Sequence, residues 1–158
     1  MRTVTMPLSG DVAEIRTVRR CMRELLEADA WDESDVDAIL LSASEMVNNA
    51  FSHAEPPFVV QATIDRDAVI EVRDGGGDGW PRLRATPPSE PGGKGLFILQ
   101  ALAAQWTIRR NPDGKSVLAR FERHERGQAD PHATSEKSAH TSPHRTPPRR
   151  RRRRQSSS

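Results

Sequence analysis

A change of period divides this sequence. Between residues 10 and 51 apolar side chains return every three or four positions, and after Glu55-Pro56-Pro57 they alternate. Val12, Ile15, Val18, Met22, Leu25 and Leu26 line one face of a helix expected over residues 10–29. Val36, Ile39, Leu40, Ala43, Met46, Val47 and Ala50 do the same for a second helix, from about Ser34 to Phe51. Ser34 is placed to cap it, with Asp37 three residues on and acids gathered in the first turn. The two prolines forbid further helix. Phe58, Val60, Ala62 and Ile64 then alternate, and Val69 to Val72 follow a turn at Asp65-Arg66-Asp67, which reads as a hairpin. Residues 74–94 are dense in Gly and Pro and read as loop. A short apolar helix is expected over Leu96 to Ala104. Strands over Trp106 to Arg109 and Ser116 to Phe121 close the pattern, joined by the turn Asn111-Pro112-Asp113-Gly114. Helices packed on one face of a mixed, mainly antiparallel sheet make an α+β fold, a two-layer α/β sandwich.

The pattern ends near Arg126. Residues 127–158 contain almost no apolar side chain larger than alanine, so they cannot bury enough surface to offset chain entropy. Of the chain's 158 residues, 1–126 form the expected domain and 127–158 a disordered Arg-rich tail. The net charge of +2 hides this division, because the tail carries eight Lys and Arg against two Asp and Glu while acids outnumber bases in the body. The run Arg149 to Arg154 is either a solvated, self-repelling segment or a nonspecific attractor of nucleic acid. No aromatic residue is interleaved there for base stacking. The single cysteine, Cys21, allows neither an internal disulfide nor a zinc site. No apolar run approaches the ~18 residues of a membrane span, and the first residues lack a secretory apolar region. A cytoplasmic protein without membrane contact is the expectation.

Three polar motifs interrupt the apolar pattern. The first is Glu45 and Asn49 in "SEMVNNAF", four residues apart and hence on one helix face at the edge of the core. Asparagine is a poor helix former, since its amide competes for backbone hydrogen bonds, and here two stand together. The second is "VRDGGGDG", Val72 to Gly79, where an acid ends a strand and glycines follow. Asp74 could accept a hydrogen bond from an exocyclic amine such as adenine's. A plain turn is the alternative. The third is "PGGKGLFILQAL", Pro91 to Leu102, where glycines precede an apolar helix whose free amides attract phosphate. A linker to a capped helix is the alternative. No Walker A or Rossmann fingerprint is present.

In this order the motifs resemble the nucleotide-binding boxes of the GHKL ATPase superfamily. The nearest likeness is its short bacterial branch, the anti-sigma-factor serine/threonine kinases. "SEMVNNAFSHA" resembles the N box, "DGGG" the first glycine box, "GGKGLFILQALAAQW" the second, and "PDGKSVLARF" the closing strand. The resemblance spans roughly residues 8–122 and implies the same sandwich, the GHKL (Bergerat) fold. It implies ATP and Mg2+ as cofactors, with Asn49 as the metal ligand and Glu45 as general base. Asn48 would be a second contact near the phosphates. Asp74 would hold the adenine amino group, with Gly76 and Gly79 shaping the pocket. Gly93, Lys94, Gly95 and Leu96 would wrap the phosphates, and Ser116 would touch the adenine side. His53 matches a family position at the helix end, where a packing or capping role is the simpler account. Residues 80–92 would form a short ATP lid.

The implied function is an ATP-binding anti-sigma factor with serine/threonine kinase activity toward a STAS-type antagonist. A sigma factor and that antagonist would be its partners, and a homodimer its assembly. The alternative is a nucleotide-dependent binding module without phosphotransfer. A third possibility is a nucleic-acid binder acting through residues 149–154.

Overall fold

The computed structural model of the chain describes residues 1–77 and 95–124. Expectations for Gly79, Gly93, Lys94, the lid segment and the tail lie outside the described residues. The element order is β1 (Arg2–Leu8), α1 (Glu14–Ala28), α2 (Glu33–His53), β2 (Phe58–Ile64), β3 (Asp67–Asp74), α3 (Gly95–Leu102), β4 (Gln105–Asn111) and β5 (Gly114–Glu122). The five strands form one sheet in the order β1-β2-β3-β5-β4, and every neighbouring pair is antiparallel. Among the described residues no helix is long and apolar enough to cross a membrane.

Strand alternation decides which side of the sheet is covered. Val60, Ala62 and Ile64 of β2 pair in register with Val72, Ile70 and Ala68 of β3. Those β3 residues pair with Val117, Ala119 and Phe121 of β5. All of them are buried. They meet Val18, Met22 and Leu26 of α1 and the stripe of α2 from Val36 to Ala50 in one core. Truncating a fully buried member such as Met22 or Ile39 to alanine would cost about 2–5 kcal/mol through lost transfer energy and the cavity left behind. The opposite face of the sheet is polar. Gln61, Glu71 and Arg73 lie there, and Arg73 donates to both of the others.

Three local expectations change. β1 was absent from the expected elements, although Val4, Met6 and Leu8 alternate and pair with Ala62, Val60 and Phe58. β1 is an edge strand, which is why it tolerates Pro7 and its missing N–H. Val12 does not join the α1 face; it precedes the helix and is 66% exposed. The entry to α1 is organised by Glu14, whose carboxylate accepts from the N–H groups of Ser9, Gly10 and Asp11. Nor is Ser34 the cap of α2. The helix starts at Glu33, with Asp32 in the extended cap position, and Ser34 lies within its first turn. Asp37, instead of closing a capping box, pairs with Arg23 of α1 at 3.0 Å.

Candidate functional site

The covered face of the sheet ends in charge. Alternation buries Ala68, Ile70 and Val72 and therefore also turns the last residue of β3, Asp74, inward. Its register partner is Lys115 of β5, which the same parity turns to the same side. Lys115 Nζ lies 3.1 Å from Asp74 Oδ1, and both side chains are almost wholly buried. Oδ1 also accepts from the Gly76 N–H at 2.9 Å, an Asx-turn bond across the start of the glycine run. Among the described residues Oδ2 takes no hydrogen bond.

Glycine is required around this pair because three backbones converge on it. Gly75 donates its N–H to the Glu55 carbonyl at 2.7 Å, and Glu55 donates to the Gly76 carbonyl at 2.7 Å. The segment after α2 thus lies against the end of β3, and a Cβ on Gly75 would overlap the Pro56 carbonyl oxygen. Gly114, at φ +148°, opens β5 on the other flank, where a Cβ would overlap the Asp74 carbonyl oxygen. "DGGG" is therefore more than a loose turn; it lets β3, β5 and the exit of α2 meet.

A second candidate group lies on α2 and α3. Glu45 and Asn49 stand one turn apart on α2 and are both half-buried, while Met46, Val47 and Ala50 between and beside them enter the core. Asn48 is exposed, so of the two adjacent asparagines only Asn49 sits at the core edge with Glu45. α3 begins at Gly95, directly against the carboxylate: a Cβ there would lie 3.3 Å from Glu45 Cβ and 3.3 Å from its Oε2. Leu96 follows in the first turn, half-buried, and Leu99 anchors the helix in the core. His53 occupies the exposed last turn of α2, where a basic side chain suits the helix dipole.

Ser116 is the correction. It pairs with Arg73, on the polar face of the sheet, and its Oγ accepts from Asn111 Nδ2 at 2.7 Å. That is the face opposite Asp74, so Ser116 is not on the side expected for adenine. A hollow of about 570 Å³ where α3 meets β4 and β5, lined by Gln100, Ala103, Trp106, Thr107 and Leu118 among others, includes neither Asp74 nor Lys115. Lys115 was missed. Its signal was available: Val117, Ala119 and Phe121 are the apolar alternates of β5, and the same parity reaches 115, not 116.

The residues present suit a magnesium nucleotide. Among the described residues no cluster of three or more His, Cys, Asp or Glu exists to hold a metal by protein ligands alone. A magnesium ion carried largely by phosphates and water needs few protein ligands, and the Asn49 amide oxygen can supply one. The start of α3 lies against Glu45, and the amide N–H groups of a helix start suit phosphate.

No curated protein matches the chain. A similar fold is present in the crystal structure of the RsbU and RsbW domains of Rv1364c from Mycobacterium tuberculosis. That likeness has a TM-score of 0.61 and 24% sequence identity, and covers 78% of this chain but only 33% of the other. The family model described as the histidine kinase-like ATPase domain matches residues 8–121, from the end of β1 nearly to the end of β5. With that match across most of its length, the chain belongs to the histidine kinase-like ATPase domain family.

Proposed function

We propose that this chain binds ATP with Mg2+ and acts as an anti-sigma factor with serine/threonine kinase activity toward a STAS-type antagonist. The observation that carries the reading is the close approach of Gly95 to Glu45, which brings the acid of α2 to the start of α3. Family membership and the likeness to a protein with an RsbW domain support the regulatory branch. Asn49 would hold the metal, Asp74 the base, and the α3 amides the phosphates. Bound ATP·Mg2+ supplies the transferable phosphoryl group. Glu45 would orient an incoming serine or threonine hydroxyl and take its proton. Gly95, lacking a side chain, keeps that approach open beside the carboxylate.

The test is transfer of label from γ-labelled ATP to a STAS-domain protein. Transfer should fall by about a hundredfold or more in Glu45→Ala while ADP binding persists. Full transfer by that variant would remove Glu45 from the role of base. Nucleotide-dependent capture of a sigma factor or antagonist with no transfer by the wild type would instead establish a binding module.

A further inference from the structure

The base end of the proposed pocket is an ion pair, not a lone acceptor. We propose that Lys115 contacts the base and widens the pocket from adenine to 6-oxopurine nucleotides, GDP and GTP among them. This rests on the nucleotide-binding reading above. A carboxylate alone presents only acceptors. It suits the amino group of adenine and repels the carbonyl oxygen that a 6-oxopurine carries at the same place. Lys115 alters that discrimination. Its ammonium has three donors, and among the described residues its one hydrogen-bond partner is Asp74 Oδ1. The side chain is 5% exposed, so bulk water has little access to it. An ammonium buried with a single partner is costly, and a ligand acceptor would complete its shell.

The pair is also polarised toward a ligand. Gly76 and Lys115 both use Asp74 Oδ1, which leaves Oδ2 as the acceptor. A donor and an acceptor thus lie side by side. A 6-oxopurine presents the complement: its ring N1–H meets Oδ2 and its carbonyl oxygen meets Nζ. Adenine presents the complement in the opposite order, with the amino group on Oδ2 and ring N1 on Nζ, so a 6-oxopurine uses the same pair only when shifted by one hydrogen-bonding position. The carbonyl is the stronger acceptor for a cation, so Lys115 favours the 6-oxopurine more than it favours adenine.

Calorimetry with the full chain, Mg2+, and ADP or GDP tests this. GDP should bind within about tenfold of ADP. Lys115→Met should shift the ratio against GDP by at least about tenfold, and Lys115→Thr, which keeps a hydroxyl donor for Asp74, should shift it in the same direction. Thermal unfolding of both variants checks that each is folded. If ADP binds and GDP is weaker by more than tenfold, the inference fails and the nucleotide reading stands. The same holds if the folded variants keep the wild-type ratio. If neither nucleotide binds, both fail together.

Discussion

Two aspartates in this molecule are equally hidden, Asp35 and Asp74, each 6% exposed. Their partners differ in kind. Asp35 lies in the first turn of α2 and ties it to His124, just after β5. Its Oδ2 accepts the backbone N–H of His124 at 3.0 Å, and its Oδ1 lies 2.6 Å from His124 Nδ1. Beside it Arg123 bonds the Asp29 carbonyl and carboxylate and lies 4.8 Å over the Trp31 ring. Both oxygens of Asp35 are used within the chain. Asp74 uses one oxygen twice and keeps the other unbonded among the described residues. A buried carboxylate with both oxygens engaged fastens the fold. One with an oxygen left unbonded among the described residues, next to an ammonium with one partner among them, is what the proposed base contact would use.

The largest expected effect separates the two roles. Asp74→Asn replaces an acceptor by a donor and removes the counter-charge of Lys115. ADP affinity should fall by about a hundredfold or more, because a site built around a hydrogen bond loses both the bond and its partner's satisfaction. Calorimetry measures this, and unchanged affinity would break the comparison at once.

Asp35→Ala should do the reverse. It strips the acceptor from a backbone N–H and from an imidazole, each a hydrogen bond to a charged group. Stability should drop by roughly 2 kcal/mol, read from urea unfolding, while ADP affinity stays within about threefold. A large loss of affinity there would mean that the two aspartates share one network.

The sequence makes half of this contrast visible. The core stripes of α2, β2 and β3 could be traced from period alone, because one face of each element is apolar without interruption. Asp74 stood out since an acid ended a strand before glycines. β1 was missed because threonines and Pro7 dilute its three apolar alternates. Lys115 is hard to single out beside Ser116, whose hydroxyl fits the expected contact. Strand parity, carried back from Val117, would have assigned the inward position correctly. Asp35 could not be distinguished from the other acids of the first turn of α2, since its partner His124 is 89 residues away. Local pattern reports which face a residue occupies; it does not report which distant donor arrives there.

A third carboxylate sharpens the comparison from the solvated side of the sheet. Glu71 lies on the polar face, bonded by Arg73 Nε at 3.0 Å and Nη2 at 3.1 Å. Burial alone would push its carboxyl up, but hydrogen bonds from Arg73 and Ser116, with the charges of Arg73 and Arg109, outweigh that and hold it below the ordinary 4.5. A carboxyl lowered on folding stabilises the native state above its unfolded value, and that contribution disappears as pH falls through the folded one. Glu71→Gln should therefore be less stable than wild type by under about 1 kcal/mol at neutral pH, the range of partly exposed ion pairs. The gap should stay constant down to the ordinary 4.5 and close below it. Urea unfolding across that range measures it, and a gap that widened on acidification would refute the assignment. Nucleotide affinity should not change, because Glu71 shares a sheet with Asp74 but not a face.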